Sequence, residues 1–236
     1  WIISLLLVID LLVIYLHFVR GYQHLKGFIH GFYFDSEANF PSLYSAMAIF
    51  FCAGLLWLIG SSEKEKTEKR SFYWKLLCFV FVFLGLDEFG SLHEYLIQPV
   101  NSVVSDSSMG SDYLYFAWFI PYTILVVVLG VILLRFLLRL PARTRLLFIA
   151  GGLSFLSGAV GMEMVGGNYW AMQGWAIDGS EPVDLRYALM TTLEELLEML
   201  GILIFFYALL KYYLSDVRQH VYMVKIADTA AADEFI

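Results

Sequence analysis

Long apolar runs separated by short polar connectors make up most of the chain. A helix needs about 20 mostly apolar residues to cross a bilayer. Runs of that kind fall at residues 2–20, 43–60, 72–96, 113–138, 145–165 and 185–214. The connectors carry polar and helix-breaking residues. SSEKEKTEKR follows the second run, SVVSDSSMGSD the third, RLPARTR the fourth and GGNYWAMQGWAIDGSEPVD the fifth. The pattern predicts an all-α polytopic membrane bundle of six transmembrane helices. Residues 1–214 are expected to form a single transmembrane domain, and residues 215–236 a cytoplasmic tail. The first run is long enough to span, unlike a signal h-region. The chain opens on Trp1 and not on Met, so a preceding segment is expected.

Composition agrees with the pattern. Apolar and aromatic residues make up 60% of the chain and charged residues 16%. A soluble domain is nearer half apolar and a quarter charged. Mean hydropathy is +0.71. Cys52 and Cys78 both lie inside apolar runs and are not expected to pair.

Charge gives an orientation. Lys64, Lys66, Lys69, Arg70 and Lys75 flank the second connector. Arg135, Arg139, Arg143 and Arg145 flank the fourth, and Lys211, Arg218 and Lys225 follow the last run. Only Arg20, Lys26 and Arg186 fall on the other side. The positive-inside rule then puts both termini in the cytoplasm. Most of the acids sort outward, so the net charge of −7 is concentrated on one face.

Several of those acids sit inside the predicted spans, where charge is costly and marks function. In LDEFGSLHEYL, Asp87, Ser91 and Glu94 share one face if the helix continues past Gly90. Gly90 is a weak point in that helix and Pro99 a stop signal. In LRYALMTTLEELLEMLG, Tyr187, Thr191, Glu194 and Glu198 form one stripe with Glu195 beside it. Glu194 lies roughly 14 Å along the helix from its start. Like charges one turn apart repel. Either one carboxyl holds a proton or a cation lies between them. In the fifth run Gly151, Ser154, Gly158 and Gly161 form a small-residue stripe suited to close helix packing. Glu163 projects roughly 180° from Ser154 on an unbroken helix. The segment 21–42 adds His24, His30, Asp35 and Glu37, and its aromatics predict a loop lying on the membrane or folding back into it.

These acids are expected to face one another across an outward-facing pocket. Hard carboxylate ligands suit Ca²⁺, Mg²⁺ or Mn²⁺, and a histidine would admit Zn²⁺. The candidate metal ligands are Asp87, Glu94, Glu194 and Glu198, with Glu163 or His93 as general base. A water activated by such a cation would hydrolyse a lipid or lipid-linked substrate. Two other readings remain open: a non-catalytic subunit of a larger membrane complex, and a cation or proton transporter. Transport is harder to build, because the acids occupy one leaflet and the run ILIFFYALLKYY closes the other.

The remaining signals are read as structural. Asp10 and His17, seven apart, share a helix face and are expected to pair. SSEKEKTEKR is expected to be a solvated loop, and Trp57, Trp74, Trp118, Trp170 and Trp175 to mark interfaces. Trp170 and Trp175 are placed to cap a pocket. No zinc-protease pair, phosphate loop, nucleophile elbow or di-iron repeat is present, and no nucleic-acid signature. The expected partners are therefore membrane lipids and other membrane subunits.

Three segments, FDSEANFPSLYS, LDEFGSLHEYL and LEELLEMLG, carry a resemblance. Together they resemble a set of uncharacterised polytopic bacterial inner-membrane proteins over residues 34–210. The resemblance implies a bacterial inner membrane and no assigned activity.

Overall fold

The computed structural model describes residues 1–22, 25–36, 38–62, 65, 67–92, 95, 119–175 and 184–217. Every regular element among them is helical. α1 is Ile2–Ile14, continued by a π-helical turn, Tyr15–Val19. A short α2, Phe28–Phe32, follows in the first connector. α3 is Phe40–Gly60, α4 is Ser71–Gly90 and α5 is Phe119–Leu138. α6, Ala142–Leu156, passes through a π-helical turn, Ser157–Met162, into α7, Glu163–Gln173. α8 is Leu185–Tyr212.

All six predicted runs contain a long helix, and local chemistry explains where the ends fall. α3 starts earlier than expected because Asn39 and Ser42 cap it reciprocally: the Asn39 side chain accepts from the Ser42 N–H at 2.9 Å. α8 starts where expected because Asp184 Oδ1 accepts from the Tyr187 N–H at 2.9 Å. α4 stops at Gly90, where Ser91 takes a left-handed conformation with φ 47°. This corrects the predicted helix to residue 96. The expectation that Ser91 extends the face of Asp87 falls with it, and Glu94 lies outside the described residues.

Among the described residues, four helices are long and apolar enough to cross a membrane: Ile2–Val19, Phe40–Gly60, Pro121–Leu138 and Ala142–Gln173. The other two long helices, α4 and α8, each carry more than one acid: Asp87 and Glu88 in α4, and Glu194, Glu195 and Glu198 in α8.

α3 and α4 pack as an antiparallel hairpin, and α8 is central, lying along α6 and also touching α3 and α1. The α6–α8 crossing is close because glycines meet there. A Cβ on Gly151 would lie 2.9 Å from the Gly201 carbonyl oxygen, and one on Gly158 would lie 2.7 Å from that of Glu194. The Ser154 hydroxyl donates to the Leu197 carbonyl at 2.8 Å across the same crossing. Gly161 is not part of it, since no residue of α8 comes within 4 Å of a Cβ there. The π turn is the reason. One inserted residue shifts the phase of a helix by roughly 100°.

The main apolar core, including Leu56, Trp74, Phe148 and Leu209, lies toward the end where the α3–α4 connector sits. Trp74 is fully buried there. Its indole N–H donates to Glu65 Oε2 at 2.7 Å, so it is a core residue and not an interface marker. Glu65, expected in a solvated loop, is itself fully buried.

Candidate functional site

At the opposite end of the bundle the acids of several helices meet. A cavity of about 280 Å³ is lined by Asp87 and Glu88 of α4, Glu163 at the start of α7, and Glu194, Glu195 and Glu198 of α8. Asp35 and Ser36 of the first connector and Tyr122 of α5 complete its polar wall. Among the described residues no lysine, arginine or histidine lines it.

Each acid is brought there by a local cause. α4 presents Asp87 one turn before its end, buried, and the Tyr122 hydroxyl donates to Asp87 Oδ1 at 3.1 Å. The glycine crossing seats α8 so tightly on α6 that Glu198 Cγ lies 2.7 Å from where a Gly158 Cβ would be. The π turn Ser157–Met162 then re-aims Glu163, which on an unbroken helix would have pointed away from the Ser154 face. In place, the Glu163 carboxyl shares the cavity wall with Glu194 and Glu198. Carboxyls gathered in this way need a proton on one of them, or a cation between them.

The first connector folds back into the bundle at Ile29 and Phe34. Phe34 is buried, and its backbone N–H donates to Asp10 Oδ1 at 2.9 Å. The Thr192 hydroxyl donates to Asp10 Oδ2 at 2.8 Å. Asp10 is fully buried in α1 and so joins three elements, holding Asp35 and Ser36 beside the cavity. The expected pairing of Asp10 with His17 does not form, since the His17 ring meets the Tyr22 carbonyl at 3.1 Å instead.

An aromatic group forms the rim. Trp170 lies edge-on to Trp175 at 5.0 Å and to Tyr187 at 5.1 Å, and Tyr187 lines the cavity. Below them Asp184 accepts from the Tyr169 hydroxyl at 2.5 Å. Burial works against its charge. That hydroxyl and the N–H groups of Tyr187 and Arg186 still hold the Asp184 carboxyl below the ordinary carboxylate range.

Of the residues expected to form the site, Asp87, Glu163, Glu194 and Glu198 line this one cavity. His93 and Glu94 lie outside the described residues, as do His24 and Glu37. His30 is exposed on α2. Among the described residues no three histidine, cysteine, aspartate or glutamate side chains are gathered closely enough to hold a metal ion. Sequence reasoning missed Tyr122, which reads as one more interfacial aromatic next to Pro121. It also undervalued Asp10, whose signal was plain: a lone acid in an apolar helix.

The chain belongs to the family described as Domain of unknown function (DUF8692), whose model matches residues 4–212. That family carries no assigned activity, as the resemblance implies. No curated protein and no solved structure matches the chain.

Proposed function

We propose that this is a six-span protein of the bacterial inner membrane, with both termini in the cytoplasm, whose outward-facing carboxylate cavity binds a divalent cation. α4 and α8 complete the six spans. Each is as long as a span requires, and each packs along a helix apolar enough to cross, α3 and α6 respectively. The basic connectors support this orientation.

The observation that carries the reading is the convergence of Asp87, Glu163, Glu194 and Glu198 on one cavity with no basic side chain among its described lining residues. Like charges so gathered need a compensating cation or proton. Hard oxygen ligands favour Ca²⁺, Mg²⁺ or Mn²⁺, and Zn²⁺ if His93 joins. Asp87, Glu194 and Glu198 are the proposed ligands, with Glu94 beside them. Their side chains must rotate inward to close on an ion. Glu163 is then the general base, taking a proton from a water that attacks a lipid or lipid-linked substrate.

The gathering of Glu163 and Glu194 on one cavity also supports a second reading, in which the pair holds a proton in a transport path. Metal analysis of the detergent-purified protein separates the two. The first reading expects a stoichiometric divalent cation in the wild type, lost in Glu194→Gln/Glu198→Gln. No metal in either protein overturns it in favour of the second.

A further inference from the structure

α5 meets the bundle at its two ends and stands away from it between them. At one end is the Tyr122–Asp87 hydrogen bond. At the other, the Phe136 ring lies 5.3 Å from that of Tyr73 and 5.0 Å from that of Trp74. Only 6% of the span Pro121–Leu138 is buried. The gap is an apolar cavity of about 420 Å³, lined on α5 from Tyr122 to Leu137. That is roughly 22 Å of helix, and the volume is in the range of small-molecule sites.

This cavity is continuous with the acidic one. Tyr122, Val126, Leu84, Ile49, Phe155 and Leu156 line both. Its walls are also kept low. Gly130 of α5 and Gly152 of α6 line it, and a Cβ added to either would meet nothing within 4 Å. Gly151, the neighbour of Gly152, is explained by the close crossing with α8; Gly130 and Gly152 are not. A helical glycine weakens its helix relative to alanine. What these two supply is open space.

We infer that the joined cavities bind a long-chain lipid with an uncharged polar head, its chain between α5 and α6 and its head at Asp87 and Glu163. The apolar length takes a hydrocarbon chain. Its mouth is acidic and has no described lysine, arginine or histidine, the side chains that recognise phosphate. While no cation fills the mouth, a hydroxyl, ester or amide head suits it and a phosphate head meets repulsion. This names the substrate class for the hydrolytic reading and rests on that reading only for the chemistry.

The test places the full chain in nanodiscs of phosphatidylethanolamine and phosphatidylglycerol. The probe is a monoacylglycerol with a diazirine in its chain. The control is a lysophosphatidic acid with the same chain. With a chelator present, irradiation is expected to label α5 and α6 residues of the cavity saturably, with the phosphate probe weaker by about tenfold or more. Gly130→Leu/Gly152→Leu is expected to lose that labelling to a similar degree. Equal labelling by the two probes, or labelling spread over the outer faces of α1 and α3, overturns the inference. So does labelling unchanged by the leucines in a folded variant. If that variant does not fold, the wild-type map and the head comparison decide. Saturable, head-selective labelling of a wild type that holds no metal sinks the hydrolytic reading and leaves this one standing. Metal without such labelling does the reverse.

Discussion

Two groups of acids, one around the buried Glu65 and one half-buried around a cavity, lie toward opposite ends of α8, and they are built in opposite ways. Near Tyr212, the carboxylate of Glu65 is matched at both oxygens. Oε2 accepts from Arg70 Nε at 2.9 Å and Trp74 Nε1 at 2.7 Å, and Oε1 accepts from Arg70 Nη2 at 3.1 Å and the Tyr212 hydroxyl at 2.6 Å. Arg70 also reaches Glu68. Burial opposes the Arg70 charge, yet Glu65, Tyr212 and Glu68 hold the guanidinium above its ordinary range. At the other end Glu163, Glu194 and Glu198 gather around one cavity whose described lining includes no basic side chain. A buried acid that is fully paired explains itself as an anchor, here tying the α3–α4 connector to α4 and α8. Gathered like charges do nothing for the fold that neutral residues would not do better. The first group belongs to the structure, and the second is the one on which the proposed function rests.

Removing each group in turn tests that division. Glu65→Ala leaves the Arg70 charge, the Trp74 N–H and the Tyr212 hydroxyl without their shared acceptor, and is expected to cost about 3–5 kcal/mol, read as a lowered midpoint in detergent unfolding. Asp10→Ala orphans the Phe34 N–H and leaves the Thr192 hydroxyl only the Ala188 carbonyl, and about 1–3 kcal/mol is expected to be lost. Hydrogen exchange should then rise at residues 33–36 and leave the Glu65 region unchanged. Asp184→Ala removes the α8 cap for about 1 kcal/mol. Because the folded carboxyl lies below its ordinary range, that contribution is complete at neutral pH and fades only as pH falls through the lowered value. Wild type and Asp184→Ala should therefore converge in stability in strong acid; a difference that instead disappeared toward alkaline pH would contradict this. Glu194→Gln/Glu198→Gln is expected to change metal-free stability least, by about 0.5 kcal/mol or less, or to raise it by relieving repulsion. A loss as large as that of Glu65→Ala would erase the distinction between the two groups.

What the sequence disclosed follows from how local each signal is. The helices were legible because apolar runs and caps such as Asp184 act over a few residues. Asp87, Glu163, Glu194 and Glu198 were legible because a charge inside an apolar run stands out alone. The partners of a charge were not legible. SSEKEKTEKR looks uniformly solvated, and nothing in it separates Glu65 from Glu63 or Glu68 until Trp74 and Tyr212 close around it. Asp10 was paired with His17 by helical spacing, but its true partners come from the first connector and from α8, at separations of 24 and 182 residues. Glu163 was aimed by the π turn, which no apolar periodicity announces.

The most direct test of the central claim is the unfolding midpoint of the metal-free protein with and without added Mn²⁺, Mg²⁺ or Ca²⁺. A ligand at 100 times its Kd stabilises the folded state by about 2.7 kcal/mol. The account predicts such a rise in the wild type, and its absence in Glu194→Gln/Glu198→Gln. No rise in the wild type with any of these ions, or an equal rise in the double variant, would contradict it.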